Sequence, residues 1–324
     1  MKIIPEEVAK DVLNMKKAIA TVRDAYWACS RGEMFQGDRI VQNLGTEKNI
    51  GQWLTAICTG QPYFGFKFSA VFPDNPKSGM PTDQSTISLF SNENGKQLAL
   101  IGANYLTALK TGAAAGVATD LLARKDASRL GIVGTGVQAF TQALAMQEVR
   151  ELTEVRLFDM SEERMDAFIN RLEPVKNRDY VIVKCSSGNE AAEQSDIICT
   201  ATPSKTPVLD ANAIQSGTHL NAIGSFARNM QETASETAAK AAFIVTEHVD
   251  GLWASGTGDI MEPLEAGLIS KEKVLGSVGD ILTGKLAGRT DDDQITMYES
   301  VGSCVLDLAI AIAVYESGCC MQND

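Results

Sequence analysis

The residues of this chain that could do chemistry fall into a glycine loop and a set of cations. The loop, at 130–139, reads Leu-Gly-Ile-Val-Gly-Thr-Gly-Val-Gln-Ala. An apolar run (Leu130, Ile132, Val133) breaks into Gly134-x-Gly136-x-x-Ala139, with Thr135, Val137 and Gln138 between, and an amphipathic stretch follows to Val149. Gly134 permits a tight strand-to-helix turn. Gly136 leaves the backbone bare for a pyrophosphate, and Ala139 lets the helix sit close to the strand. An anion there meets the free N–H groups and the positive dipole end of the helix. The pattern predicts a dinucleotide site.

Asp159 ends the next apolar strand about 20 residues on, where a carboxylate can accept hydrogen bonds from adenosine ribose hydroxyls. That carboxylate repels a 2′-phosphate. Met160, Ser161, Glu162 and Glu163 supply no cation for one, and Arg164, the one nearby candidate, can point away from it on a helix. NAD(H) is therefore expected in preference to NADP(H). The cations are lysines and arginines, and Lys67 is the one its neighbours single out. By composition alone Arg39 is a solvated surface charge. Lys67 sits among Phe64, Phe66 and Phe68 on an apolar strand. Such a lysine either snorkels to solvent or is held in a site, where desolvation favours the neutral amine and makes it a usable acid or base.

Other chemistries lack their residues. The chain has only His219 and His248, and no HExxH, GxSxG or paired Cys/His ligand set, so no metal site is expected. His219, in the alternating run 218–224, reads as a structural histidine. Seven cysteines at 29, 58, 185, 199, 304, 319 and 320 show no CxxC spacing and read as reduced thiols, with Cys319-Cys320 a pair that could oxidise. A formal net charge of −12 and the absence of a basic block argue against nucleic acid. The first residues, Met-Lys-Ile-Ile-Pro, lack an apolar signal core, and no run approaches membrane-spanning length. These features predict a cytoplasmic enzyme with no membrane partner.

The elements that must position these residues follow from periodicity. Residues 5–31 repeat apolar side chains at helical spacing. Strand-like pieces follow at 39–44, 53–59, 63–72, 85–89 and 97–101, the last after an Asn-Glu-Asn-Gly turn at 92–95. Strands without intervening helices predict an antiparallel or mixed sheet. After an alanine-rich helix at 104–122, strands and helices alternate: strands at 130–133, 155–159, 180–183, 196–200, 219–223 and 242–246. The fold class is α/β, with a doubly wound parallel sheet. The loop Ala201-Thr202-Pro203 lies beyond the end of such a strand and is expected to face the cofactor. An apolar helix at 298–315 is expected to pack back on the first domain and make it discontinuous.

Several segments, in order over nearly the whole length, carry a family resemblance: Phe64-Gly-Phe-Lys67 with Val71-Phe-Pro-Asp-Asn75, the run 106–115, the loop 131–139, and Gly217-Thr-His-Leu-Asn-Ala-Ile-Gly224. Gly258-Asp-Ile260, Gly288-Arg289 and Ser300-Val-Gly302 with Asp307 complete the set. The chain resembles the ornithine cyclodeaminase/mu-crystallin family. The resemblance implies an NAD(P)-binding Rossmann domain at 116–302. It also implies a discontinuous α+β substrate-binding and dimerisation domain at 1–115 with 303–324, and a homodimer. It implies hydride exchange at the α-carbon of an amino or imino acid, with Arg39 holding the substrate carboxylate and Lys67 facing the substrate. Thr111, Thr202 and the segment from Asn221 to Gly224 would border the cofactor.

Two positions depart from the family pattern. Lys110 stands where arginine is usual, which loses bidentate geometry toward a carboxylate. Phe226 stands where cyclodeaminases carry an aspartate, with no carboxylate until Glu232, and phenylalanine cannot transfer a proton. The expectation is therefore an NAD(P)H-dependent reductase of a cyclic imino acid, such as pyrroline- or piperideine-2-carboxylate, or the reverse dehydrogenation. Arg39 and Lys110 would fix the carboxylate, Lys67 would protonate the imine nitrogen, and Phe226 would cover the ring. The alternatives are an NAD-dependent ornithine cyclodeaminase, giving proline and ammonia, and a crystallin-like binding protein without turnover.

Overall fold

In the computed structural model, which describes residues 1–318, Ser85, Ile87, Leu89 and Ser91 are buried at every second position. That is the period of a strand with one face on a core. It belongs to the first of two units, Met1–Lys110 with the segment that begins at Ser303. In chain order this unit holds β1 (Lys2–Ile4), α1 (Glu6–Val12), α2 (Met15–Ser30), β2 (Met34–Gln36), β3 (Ile40–Asn43), β4 (Ile50–Cys58), β5 (Tyr63–Val71), β6 (Asp83–Ser91) and β7 (Gln97–Gly102). The sheet order is β1-β7-β6-β5-β4-β2, with β3 also on β4. Only β1 is parallel to its neighbour, so the sheet is mixed.

The unit boundary falls inside α3 (Asn104–Leu122). The second unit, Thr111–Gly302, continues with β8 (Arg129–Val133), α4 (Val137–Val149), β9 (Glu154–Phe158), α5 (Glu162–Leu172), β10 (Val181–Lys184), α6 (Gly188–Ala192), β11 (Ile197–Thr200) and β12 (His219–Ala222). It ends with α7 (Ser235–Lys240), β13 (Phe243–Thr246), α8 (Val249–Ser255), α9 (Gly258–Glu265), β14 (Val274–Ser277), α10 (Val278–Leu282) and β15 (Thr296–Glu299). All pairings in its sheet are parallel, in the order β10-β9-β8-β11-β12-β15-β13-β14. Third, second, first, fourth, fifth is the Rossmann order. Its switch point, where ligands sit, lies between β8 and β11.

The chain then returns to the first unit in α11 (Cys304–Glu316), which packs on α2, β4, β5 and β6. Ten of its residues are buried, among them the single aspartate Asp307.

Two helices differ from the periodicity. Residues 5–31 are not one helix: α1 ends at Val12, and Asn14 accepts a hydrogen bond from the Lys17 N–H to cap α2. The apolar spacing runs through this break, so the cap alone marks it. The helix expected at 298–315 starts only at Cys304. Tyr298 and Glu299 belong to β15, and Gly302, at φ +83°, turns the chain between them. Strands β14 and β15 and helices α7 to α10 extend the alternation beyond the elements read from sequence. Among the described residues no helix is long and apolar enough to cross a membrane. Cys29, Cys58, Cys185, Cys199 and Cys304 are free thiols, and Cys319-Cys320 lies outside the described residues.

Candidate active site

In the first unit, β5 exposes its two faces to different surroundings. Gly65 and Lys67 are buried, whereas Phe64, Phe66 and Phe68 alternate with them and are half-buried. The phenylalanines therefore stand on the opposite face from Lys67, where Phe64 stacks on Phe90 and Phe68 meets Trp53. They do not surround the lysine. What faces it is α11. A Cβ on Gly65 would lie 2.5 Å from the Ser88 carbonyl oxygen of β6 and 3.3 Å from Leu308 Cδ1 of α11, so the missing side chain leaves room for both the neighbouring strand and the helix.

Lys67 Nζ lies 2.8 Å from Asp307 Oδ2, with both side chains buried. Lys110 Nζ lies 3.6 Å from Asp307 Oδ1 and donates to the Ser303 carbonyl at 3.3 Å. Half-buried Arg39 adds its charge to the same carboxylate. Burial pushes the Asp307 carboxyl up, but Lys110 and Lys67, with Arg39, outweigh it and hold the group below the usual carboxylate range. One carboxylate thus sits among three cations. The fold gathers all three cations read from the sequence, and adds Asp307, a motif residue to which the sequence assigned no role. The available signal was a lone carboxylate in an apolar helix, which needs a buried partner.

In the second unit, the exit of β8 meets the exit of β11. Gly134 has φ +90°, and a Cβ there would lie 2.7 Å from the Ala201 carbonyl oxygen. Ala201 N–H donates to Val133 O at 2.9 Å. Gly136 is the N-cap of α4 and makes no side-chain cap. Ala139 is buried, while Val137 is 63% exposed. Gln138 Oε1 is a buried acceptor with no partner among the described residues. The Thr135 N–H and hydroxyl donate to Asp159 Oδ2 at 2.9 and 2.8 Å, and the Ser161 N–H donates to Oδ1 at 3.0 Å. Asp159 is thereby brought onto the glycine loop. The Thr111 carbonyl accepts from Gln142 of α4 at 3.5 Å.

The Ala201–Pro203 segment and Gly224 are joined by a residue that the sequence showed only as the next carboxylate after Phe226. The Glu232 carboxylate accepts from Thr202 N–H, the Thr202 hydroxyl and Gly224 N–H. The side chain of Asn221 turns inward: its amide donates to Thr119 Oγ1 at 2.9 Å, and its Oδ1 lies 3.2 Å from His219 Nε2. His219 is a core residue, also 2.9 Å from Thr296 Oγ1, and burial with the Arg289 and Arg150 charges pushes its imidazolium down to about 3. Phe226 lies beyond β12 on the surface of this unit, 41% exposed.

Residues 4–319 match the ornithine cyclodeaminase/mu-crystallin family. The chain belongs to that family. Within the ornithine cyclodeaminase/mu-crystallin family, it is 34% identical over 316 residues to Delta(1)-pyrroline-2-carboxylate reductase of Bacillus cereus, across 98% of this chain and 96% of that one. The structure of Thermococcus litoralis Delta(1)-pyrroline-2-carboxylate reductase in complex with NADH and L-proline matches with a TM-score of 0.93 at 30% identity, over 98% of this chain and 97% of that one. An archaeal alanine dehydrogenase dimer with bound NAD matches with a TM-score of 0.91 at 32% identity, over 98% and 96%.

Proposed function

We propose that this chain is an NAD(H)-dependent oxidoreductase that reduces the C=N bond of a cyclic imino acid, such as pyrroline-2-carboxylate, or runs the reverse dehydrogenation. The observation that carries the proposal is the buried Lys67–Asp307–Lys110 cluster with Arg39 beside it. Three cations against the ionised Asp307 and the Asp83 carboxylate, which also feels the Lys67 charge, leave net positive charge, which a substrate carboxylate would balance. The similarity to reductases, one of them solved with NADH and L-proline, supports the same class of substrate.

A dinucleotide fits the residues at the end of β8. A Cβ on Gly136 would meet nothing within 4 Å, so the backbone at the start of α4 borders open space. Gly134 to Ala139 would hold the pyrophosphate there, and Asp159 the ribose. Thr111, Ala201, Thr202, Pro203, Asn221 and Gly224 belong to the same unit and complete the proposed cofactor set. NAD(H) is favoured over NADP(H) because the Asp159 carboxylate repels a 2′-phosphate. When bound, the nicotinamide supplies the hydride that the imine carbon takes.

The chain's own residues do the rest. Arg39 and Lys110 bind the substrate carboxylate. Lys67 donates the proton that the imine nitrogen gains on reduction, and Asp307 keeps the Lys67 ammonium in place until then. Phe226 supplies an apolar contact and no proton, where a cyclodeaminase needs an acid. Glu232 does not replace that acid, because both its oxygens are engaged with Thr202 and Gly224. A homodimer through the first unit is supported by the half-buried aromatic sheet face of Trp53, Phe64, Phe66, Phe68 and Phe90.

The test is a panel of cyclic imino acids with NADH and NADPH run separately, beside L-proline, L-alanine and L-ornithine with NAD⁺. NADH oxidation with a cyclic imino acid is expected. No turnover with any cyclic imino acid, or ammonia release from ornithine with catalytic NAD⁺, would overturn the proposal.

A further inference from the structure

We infer that Glu232 is a positioning residue for dinucleotide binding: its carboxylate locks the exit of β11 to the exit of β12, and Asp259 sets Glu232 in place. The inference rests on the dinucleotide reading above and names the device that shapes its site.

The lock is made of short bonds to one anion. Glu232 Oε1 accepts Thr202 N–H at 2.5 Å and the Thr202 hydroxyl at 2.7 Å. Glu232 Oε2 accepts Gly224 N–H at 2.6 Å. The two donor residues lie beyond the carboxyl ends of adjacent parallel strands, next to the switch point. Charge-assisted bonds of this kind are shorter and stronger than neutral ones. The seam between the loops is closed too tightly for any side chain at Gly224, where a Cβ would lie 2.1 Å from Thr202 O and 2.8 Å from Glu232 Cδ.

A second carboxylate places the first. Asp259, in the first turn of α9, accepts through Oδ1 the N–H groups of Glu232 and Thr233 and the Thr233 hydroxyl. Gly258 N–H donates to Met230 O at 3.0 Å, and a Cβ on Gly258 would lie 2.3 Å from that oxygen. The Gly-Asp-Ile motif at 258–260 therefore braces the 230–233 segment, and through it the loops at Thr202 and Gly224. A neutral amide cannot do the same work. It has one acceptor oxygen, and its NH₂ would face a donor.

The lock is sensitive to its charge. Asp259 from α9, Glu299 from β15 and Cys199 from β11 are the titratable groups around Glu232, and no cation pairs with Glu232 among the described residues. Burial, then the Asp259 carboxylate, pushes the Glu232 carboxyl up to about 7. As pH falls through that value, protonation removes acceptor capacity and the loops lose part of their tie.

The experiment titrates NADH into full-length wild type, Glu232→Gln and Thr202→Val, followed by fluorescence at about pH 6 and about pH 8, with a thermal melt of each protein. Wild type is expected to bind NADH more tightly at the higher pH. Glu232→Gln is expected to bind about tenfold more weakly at the higher pH and to lose the pH difference. Thr202→Val, which keeps the backbone donor, is expected to bind about threefold more weakly and to keep the difference. If Glu232→Gln does not fold, Thr202→Val carries the test. NADH affinity unchanged in the folded variants overturns the inference and leaves the dinucleotide reading intact. A folded wild type that binds neither NADH nor NADPH overturns both.

Discussion

The Asp307 carboxylate and the Lys67 ammonium form a buried ion pair of 2.8 Å, and Lys110 lies on the other oxygen of the same carboxylate at 3.6 Å. A buried pair adds little net stability over an apolar equivalent, but removing one member leaves an uncompensated charge. Asp307→Asn leaves two ammonium groups facing a neutral amide. It is expected to cost about 3–5 kcal/mol of stability. If Asp307 orients Lys67 for proton transfer, kcat/KM for the imino acid is expected to fall about 100-fold or more. Thermal melts and steady-state kinetics check both. A variant with wild-type kinetics would remove Asp307 from the reaction.

Gly134 and Gly136 stand two residues apart and have different reasons to be glycine. Gly134 needs a positive φ, and its Cβ would strike the Ala201 carbonyl. Gly136 has neither constraint, since a Cβ there meets only open space. Gly134→Ala is therefore expected to destabilise the protein by about 1 kcal/mol or more. Gly136→Ala, an N-cap change without a clash, is expected to lower the melting temperature less than Gly134→Ala does while weakening NADH about tenfold or more, because the methyl group occupies the space proposed for the pyrophosphate. Melting curves set against NADH titrations separate the two. Equal effects of both variants on stability would contradict the assignment of Gly136.

Much of this was legible because it is local. The glycine loop, the strand alternation and the acid at Asp159 are written within stretches of sequence whose spacing carries the physics. The break at Asn14 and the late start of α11 were not legible from periodicity, since apolar spacing runs through both. The Lys67–Asp307 pair was half legible: a charge in an apolar strand and another in an apolar helix each ask for a partner. Only the packing of α11 on β5 says that they answer each other. The Glu232 lock was hidden for the same reason. Its donors, Thr202 and Gly224, follow two different strands, and nothing in the spacing joins them.

Asp159 bonds both to the loop and, in the proposed complex, to the ribose. Its Oδ2 accepts two donors of Thr135 and its Oδ1 the Ser161 N–H. Asp159→Ser shortens the acceptor and removes the charge that repels a 2′-phosphate. The ratio of kcat/KM for NADH to that for NADPH is expected to fall about tenfold or more, with most of the loss in KM for NADH. Kinetics with each cofactor at a fixed imino acid concentration measure the ratio. An unchanged ratio would place the source of cofactor preference elsewhere.

Glu299, beside Glu232, offers a test of buried charge that is read as stability and not as turnover. It is fully buried at the end of β15. Its Oε1 accepts the Thr257 hydroxyl at 3.3 Å, and its Oε2 has no partner among the described residues. Burial, then the Asp259 and Glu232 carboxylates, pushes its carboxyl well above the usual range. An acid whose folded value is raised holds its proton in the folded state over a window where the unfolded chain has released it. Stability is therefore greatest on the acid side of the window and falls as pH rises through it. Gln mimics the protonated acid and keeps the acceptor for Thr257. Glu299→Gln is thus expected to match wild type at about pH 4 and to melt a few degrees higher at about pH 8. The acid sensitivity of the depressed His219 is common to both proteins, so their difference reports Glu299 with the Asp259 and Glu232 carboxylates coupled to it. A Glu299→Gln protein that melts no higher than wild type at about pH 8 would mean that the folded protein already compensates the Glu299 charge.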